Sequence, residues 1–174
     1  MTTSSAAPAV RLAASRAAFA AIAPRIAAGD PWPLAEAFGT EPEASWGPRE
    51  VLAHTAEMLP YWLGEYERVV EAGRAAGDGQ PFGRVASDAL RIGILERDRT
   101  LPMRELFDRI DAGIERWERR VARSVPSEEA AAGLHSRLGE MRAGELRDRF
   151  VTTHLEEHLE QLEAILIRAD AARA

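Results

Sequence analysis

The sequence predicts an all-α protein: a four-helix bundle with a long crossover connection, forming a single domain over residues 1–174. Three observations lead there. Four long stretches repeat apolar residues at helical spacing, and no stretch alternates convincingly as a strand does. The connection over 73–100 is also long enough to cross the end or side of a bundle, whereas a simple up-and-down arrangement prefers short loops.

The first helix is expected over 8–28. Leu12, Phe19, Ile22 and Ile26 recur there at heptad-like spacing, and Gly29, Pro31 and Pro33 end it. Residues 29–47 read as a mostly irregular connection carrying Trp32, Phe38 and Trp46, with one helical turn around 34–38. Trp46 reads as a packing anchor. The second helix is expected over 48–73, with Pro48 in its first turn and Ser45 as a candidate cap. His54 lies in its apolar stripe with Val51, Met58, Tyr61 and Trp62, and Leu52, Leu59, Leu63 and Val70 widen that face. Glu50, Ala53, Glu57, Pro60, Glu67 and Arg68 fall on the outer arc, and Pro60 there removes one backbone hydrogen bond and bends the helix.

Residues 73–83 are rich in turn formers. A shorter helix is expected over 84–98, ending in the charged run Glu96-Arg97-Asp98-Arg99. The third long helix is expected over 101–124, with Thr100 as cap, Pro102 in the first turn, and Leu106, Ile110, Ile114, Trp117 and Val121 as its inward stripe. Residues 126–141 read as a loop with room for a short helix; a surface role is expected for its His135. The final helix is expected over 142–171.

A net charge of −6 argues against a nucleic-acid backbone as partner. No run of about 18 apolar residues marks a membrane span, and Arg11, Arg16 and Arg25 interrupt the alanine-rich start as they would not in a signal peptide. These readings place the protein in the cytoplasm, with no nucleic acid and no membrane as partner. With no cysteine, there is neither a disulfide nor a thiolate ligand or nucleophile in the chain, so any thiol chemistry needs a thiol from outside.

The chemistry-bearing stretch is 151–162. His154 and His158 stand one helical turn apart, inside a stripe with Phe150, Val151, Leu155, Gln161, Leu162 and Ile165. Thr152, Thr153, Glu156, Glu157, Glu160 and Glu163 take the opposite arc, and Glu57, Glu156 and Glu157 are expected to be solvated. Two imidazoles at i and i+4 with His54 from a neighbouring helix can form a facial tripod for a divalent metal, leaving positions open for water or substrate. Zinc, nickel, copper and iron all suit imidazole. The same spacing also fits ordinary core histidines bonded to carbonyls. Gln161 reads either as a partner that orients a ligand histidine or as a plain polar contact between helices. Tyr61, Trp62 and Met58 are candidates for the wall of a substrate pocket near His54.

The segments Trp46-Gly-Pro-Arg-Glu-Val-Leu-Ala-His54, His135-Ser-Arg-Leu-Gly-Glu140 and His154-Leu-Glu-Glu-His158-Leu-Glu-Gln161-Leu162, in that order, resemble the DinB-like (YfiT-like) superfamily over roughly residues 10–170. The resemblance implies a four-helix bundle with a long crossover and a metal triad with one histidine on the second helix and two in the last. The matching positions are His54, His154 and His158. Characterised relatives include isomerases and S-transferases that use mycothiol, bacillithiol or glutathione. The resemblance therefore implies a divalent metal, zinc or nickel, a low-molecular-weight thiol held as thiolate, and an electrophilic small-molecule substrate. Arg97 and Arg99 are candidates to meet the carboxylates of such a thiol. Two other readings stay open: a metal-dependent hydrolase, and a non-enzymatic, stress-related binding or dimerisation module. The wide apolar face of the second helix hints at a homodimer.

Overall fold

The computed structural model describes residues 7–34, 45–75, 79–85 and 87–173. Most of this chain is helical. Pro8 opens helix α1 (Pro8–Ala28), whose Leu12, Phe19, Ile22 and Ile26 are all buried, as the heptad-like spacing requires. The Trp32 indole folds back and donates to the Ile26 carbonyl at 2.8 Å, satisfying one of the acceptors a helix end leaves open. From residue 35 on, the turn expected around 34–38, with Phe38, lies outside the described residues.

Helix α2 (Pro48–Arg74) is the central element. It packs against the short helix α3 (Ala89–Asp98), against α4 (Met103–Val121), and against the last helical stretch of the chain. Its polar arc is therefore not a solvated face. Glu50, Ala53 and Glu57 are buried, contrary to the outward placement their angles suggest. A carboxylate in that position needs a cation, and Glu57 pairs with Arg84, Glu65 with Arg68, and Glu50 with Arg99. Of the expected outer arc, Pro60, Glu67 and Arg68 are exposed. Of the wide apolar face, Val51, Leu52, Leu59 and Val70 are buried within the chain and Leu63 is half-buried.

Helix α4 matches its stripe: Leu106, Ile110, Ile114 and Trp117 are fully buried. Gly113 lets it approach α2 closely, since a Cβ at this position would lie 2.8 Å from Leu59 Cδ1. The Trp117 indole donates to the Leu59 carbonyl at 3.0 Å across the same contact. Two capping expectations are corrected. Gly47, not Ser45, caps α2. Pro102, not Thr100, occupies the N-cap of α4, and the Thr100 hydroxyl instead donates back to the Arg97 carbonyl at the end of α3. Helix α3 begins at residue 89 rather than 84, where the Asp88 side chain accepts from the Arg91 N–H.

The absence of strands is also corrected. Strands β1 (Gln80–Phe82), β2 (Ala132–His135) and β3 (Gly139–Arg142) form a sheet in the order β1-β2-β3, parallel between the first pair and antiparallel between the second. Each has three or four residues, too few for a period of two to stand out from a loop. Gly139 turns the β2–β3 hairpin at a φ of 81°, a left-handed conformation that suits glycine. The expected short helix is α5 (Pro126–Glu129).

The final helix is not uniform. Helix α6 (Ala143–Arg147) leads into a π-helical segment (Asp148–Thr152) and then α7 (Thr153–Arg173). The wider turn shifts the phase of the helix just ahead of His154. Thr152, expected on the outer arc, is consequently fully buried, and its hydroxyl donates to the Asp148 carbonyl at 2.9 Å. Helix α7 packs on α1 and α2, and α1 packs on α4.

Candidate metal centre

His54 comes from the N-terminal half of α2, and His154 and His158 from the first two turns of α7. The packing of these two helices brings the rings together. His54 Nε2 lies 3.0 Å from His154 Nε2, and His158 Nε2 lies 3.1 Å from the same atom. Two nitrogens each ~2.1 Å from one ion, at angles between octahedral and tetrahedral, stand roughly 3.0–3.4 Å apart, so the separations suit ligation. The three residues form a group that could hold a metal ion.

The other ring nitrogens show how the protons are arranged. His158 Nδ1 faces Gln161 Oε1 at 3.1 Å, and His154 Nδ1 faces the Glu157 carboxylate at 3.3 Å. Both partners accept, so both rings carry the proton on Nδ1 and turn a lone pair inward. Gln161 thus meets a histidine of the cluster, a contact that both of its sequence readings allow. Glu157 is exposed as expected, yet it holds His154. His54 differs. Its Nδ1 faces Arg91 Nη2 at 3.3 Å, and a guanidinium only donates. The His54 proton in this arrangement sits on Nε2 and is donated to His154. Three converging nitrogens then share one proton, and the His154–His158 contact sets two lone pairs against each other. A cation held by His54, His154 and His158 would supply the positive charge that those lone pairs face.

Burial holds all three rings neutral. It pushes His154 and His158 down to about 4, helped by Arg91 for His154 and by His154 for His158. His54 lies well below the ordinary imidazole range, first through burial and then through the positive charge its neighbours would carry. His54 and His158 are 5% and 2% exposed, while the His154 side chain is 25% exposed, so the cluster meets solvent at His154. Trp46 packs edge-on against His54 with ring centroids 5.3 Å apart, as a packing anchor whose neighbour is part of the triad.

The pocket candidates separate. Tyr61 lines a cavity of about 1030 Å³ beside α2, with the Arg84 guanidinium 3.7 Å from its ring centroid. Met58 is fully buried in the core, and Trp62 stacks on Phe150 at 4.1 Å; neither lines that cavity. Nor do the three histidines. Of the two arginines singled out, Arg97 lines the cavity and pairs with Asp98, whereas Arg99 pairs with Glu50 and Glu96. Arg91 reaches the triad, and no motif or spacing in the sequence singles it out. Glu156, expected to be solvated, is ion-paired with Arg11 at 2.6 Å.

His135 is corrected. It is buried in β2, where its ring stacks on Phe150 at 5.2 Å and meets Phe82 edge-on. Its Nδ1 accepts from the N–H groups of Arg137 and Leu138 at 3.2 and 3.3 Å, pinning the hairpin turn. Compared with known proteins, the chain matches no family model, no curated protein and no solved structure.

Proposed function

We propose that this chain is a divalent-metal-binding protein of the DinB-like type, a four-helix bundle with a long crossover, that joins a low-molecular-weight thiol to an electrophilic small molecule. The observation that carries the metal reading is the convergence of three imidazoles, with His54 Nε2 at 3.0 Å and His158 Nε2 at 3.1 Å from His154 Nε2. His54, His154 and His158 would hold the ion, and zinc or nickel suits the all-nitrogen set. When bound, the ion supplies a positive charge that favours thiolate over thiol. Gln161 and Glu157 hold two of the rings in the orientation that ligation requires. The exposed edge of His154 gives solutes a way in. The transferase step rests on the family resemblance, which the absence of cysteine accommodates by leaving the sulfur to an external thiol.

Elemental analysis of tag-free protein is the first test, with near-stoichiometric zinc or nickel expected and loss of it in His154→Ala and His54→Ala. Metal-loaded protein is then offered mycothiol, bacillithiol or glutathione with a chlorodinitrobenzene. Thiol consumption that needs both metal and His154 is the expected result. Ester cleavage without thiol would move the reading to a metal hydrolase, and bound metal with neither activity would leave a binding module.

A further inference from the structure

We propose that the open cavity between α2, α3, α4 and the sheet is a binding site for a small amphipathic acid, an apolar chain or ring system carrying one carboxylate. The proposal stands apart from the metal centre, since none of the three histidines lines the cavity. A volume of about 1030 Å³ is at the upper end of what small-molecule sites occupy.

Its walls divide into two chemistries. Pro60 and Tyr61 of α2, Leu90 and Ile94 of α3, and Leu134 of β2 give it an apolar body. Leu90 is 73% exposed and Leu134 48%, so two of the large apolar side chains that the fold leaves in water face this one space. An apolar ligand gains by covering them.

The charged groups around the cavity are unequal in what they have left to offer. Every carboxylate lining it is engaged: Glu57 by Arg84, Glu65 by Arg68, Asp98 by Arg97 and Arg109, and Asp88 by the Arg91 N–H. A cationic ligand at Glu57, Glu65 or Asp98 would therefore compete with an arginine already in place, and one at Asp88 with the N-cap of α3. Arg116 of α4 is exposed, lines the same cavity, and makes no ion pair or side-chain hydrogen bond among the described residues. It offers a forked set of donors suited to a carboxylate. An acid whose apolar part lies against Leu90 and Leu134 and whose carboxylate meets Arg116 uses both walls at once.

The test is calorimetric titration of the full-length protein with dodecanoate below its micelle concentration, beside dodecyltrimethylammonium as a chain of similar length with the opposite charge. Saturable one-site binding of dodecanoate is expected, with the cation at least about tenfold weaker. Arg116→Glu and Leu90→Asp change exposed side chains, and circular dichroism should show both folded as the parent. Each should weaken dodecanoate about tenfold, the loss of one charge-assisted contact or one covered leucine. Absence of saturable binding, or equal binding of the cationic chain, would overturn the proposal. So would parental affinity in both folded variants, and parental affinity in Arg116→Glu alone would overturn the assignment of the carboxylate to that arginine.

Discussion

Two buried polar clusters lie along α2, twelve residues or roughly 18 Å apart by helix rise, and they are built on opposite plans. Around Tyr66 every charge has its counterpart. The Tyr66 hydroxyl donates to Glu129 at 2.8 Å, Arg147 pairs with Glu129, and Arg120 pairs with Glu67 at 2.6 Å and donates to Ser124 at 2.8 Å. The charges pair off, Arg120 Nη2 and Glu128 Oε2 as an ion pair at 3.0 Å, and the cluster ties α2 to α4, α5 and α6. Around His54 there is no such match. Three imidazoles face one point, and their partners, Gln161, Glu157 and Arg91, all lie on the outside of the ring cluster. The difference teaches how to tell a structural polar cluster from one poised for a ligand. The first would only lose by admitting an ion; the second has lone pairs directed at a place where an ion can sit.

Removing a triad ring gives the largest expected effect. His158→Leu should abolish metal binding by elemental analysis, yet the metal-free variant should unfold at no lower urea concentration than the metal-free parent, because a buried neutral ring in lone-pair conflict is replaced by a leucine that suits the site. A large loss of stability would instead mean that the histidines are ordinary core residues. Gln161→Leu leaves the ligands in place but frees the His158 ring, and metal affinity measured against a competing chelator should fall about 10- to 100-fold. An unchanged affinity would make Gln161 a plain contact between helices.

Acidity separates the clusters in a different way. His154 and His158 bind protons near 4 in the fold but near the ordinary 6.5 once unfolded, so between those values the unfolded chain carries more protons. The metal-free protein should be at full stability above 6.5 and lose it as the pH falls toward 4. His158→Leu should show a shallower decline over that window in urea titrations at stepped pH. In the Tyr66 cluster, Tyr66→Phe removes the hydroxyl from Glu129 and Ser124 and should cost about 1–2 kcal/mol by urea denaturation, with metal content unchanged. A change in metal binding there would show that the two clusters are coupled.

The fold was legible where a pattern runs long. The stripes of α1 and α4 gave most of their buried faces, Val121 alone of the named residues being half-buried, and all four long helical stretches end within a few residues of expectation. The inward direction of His54 and His158 was legible for the same reason. What escaped were features whose signal is short or shared. The three strands have too few residues to show alternation, and the π-helical turn at Asp148–Thr152 breaks the constant angle on which a helical projection depends. The buried glutamates of α2 were misplaced because an amphipathic projection assigns charge to water. It has no way to see an arginine arriving from another part of the chain, as Arg84 does for Glu57.

By itself, the sequence determined which residues repeat on a helical face, that an HxxxH pair shares one turn, and that no cysteine is present. These are properties of local spacing and composition, which a chain carries wherever it goes. Tertiary structure alone decided that α2 lies in the middle, that His54 meets His154 at 3.0 Å from 100 residues away, that Arg91 is the charge beside it, and that the space beside Tyr61 is a cavity rather than core. Such contacts depend on how far helices stand apart and on which turn of one faces which turn of the other. The packing of side chains between them sets those quantities, and no single helix encodes them.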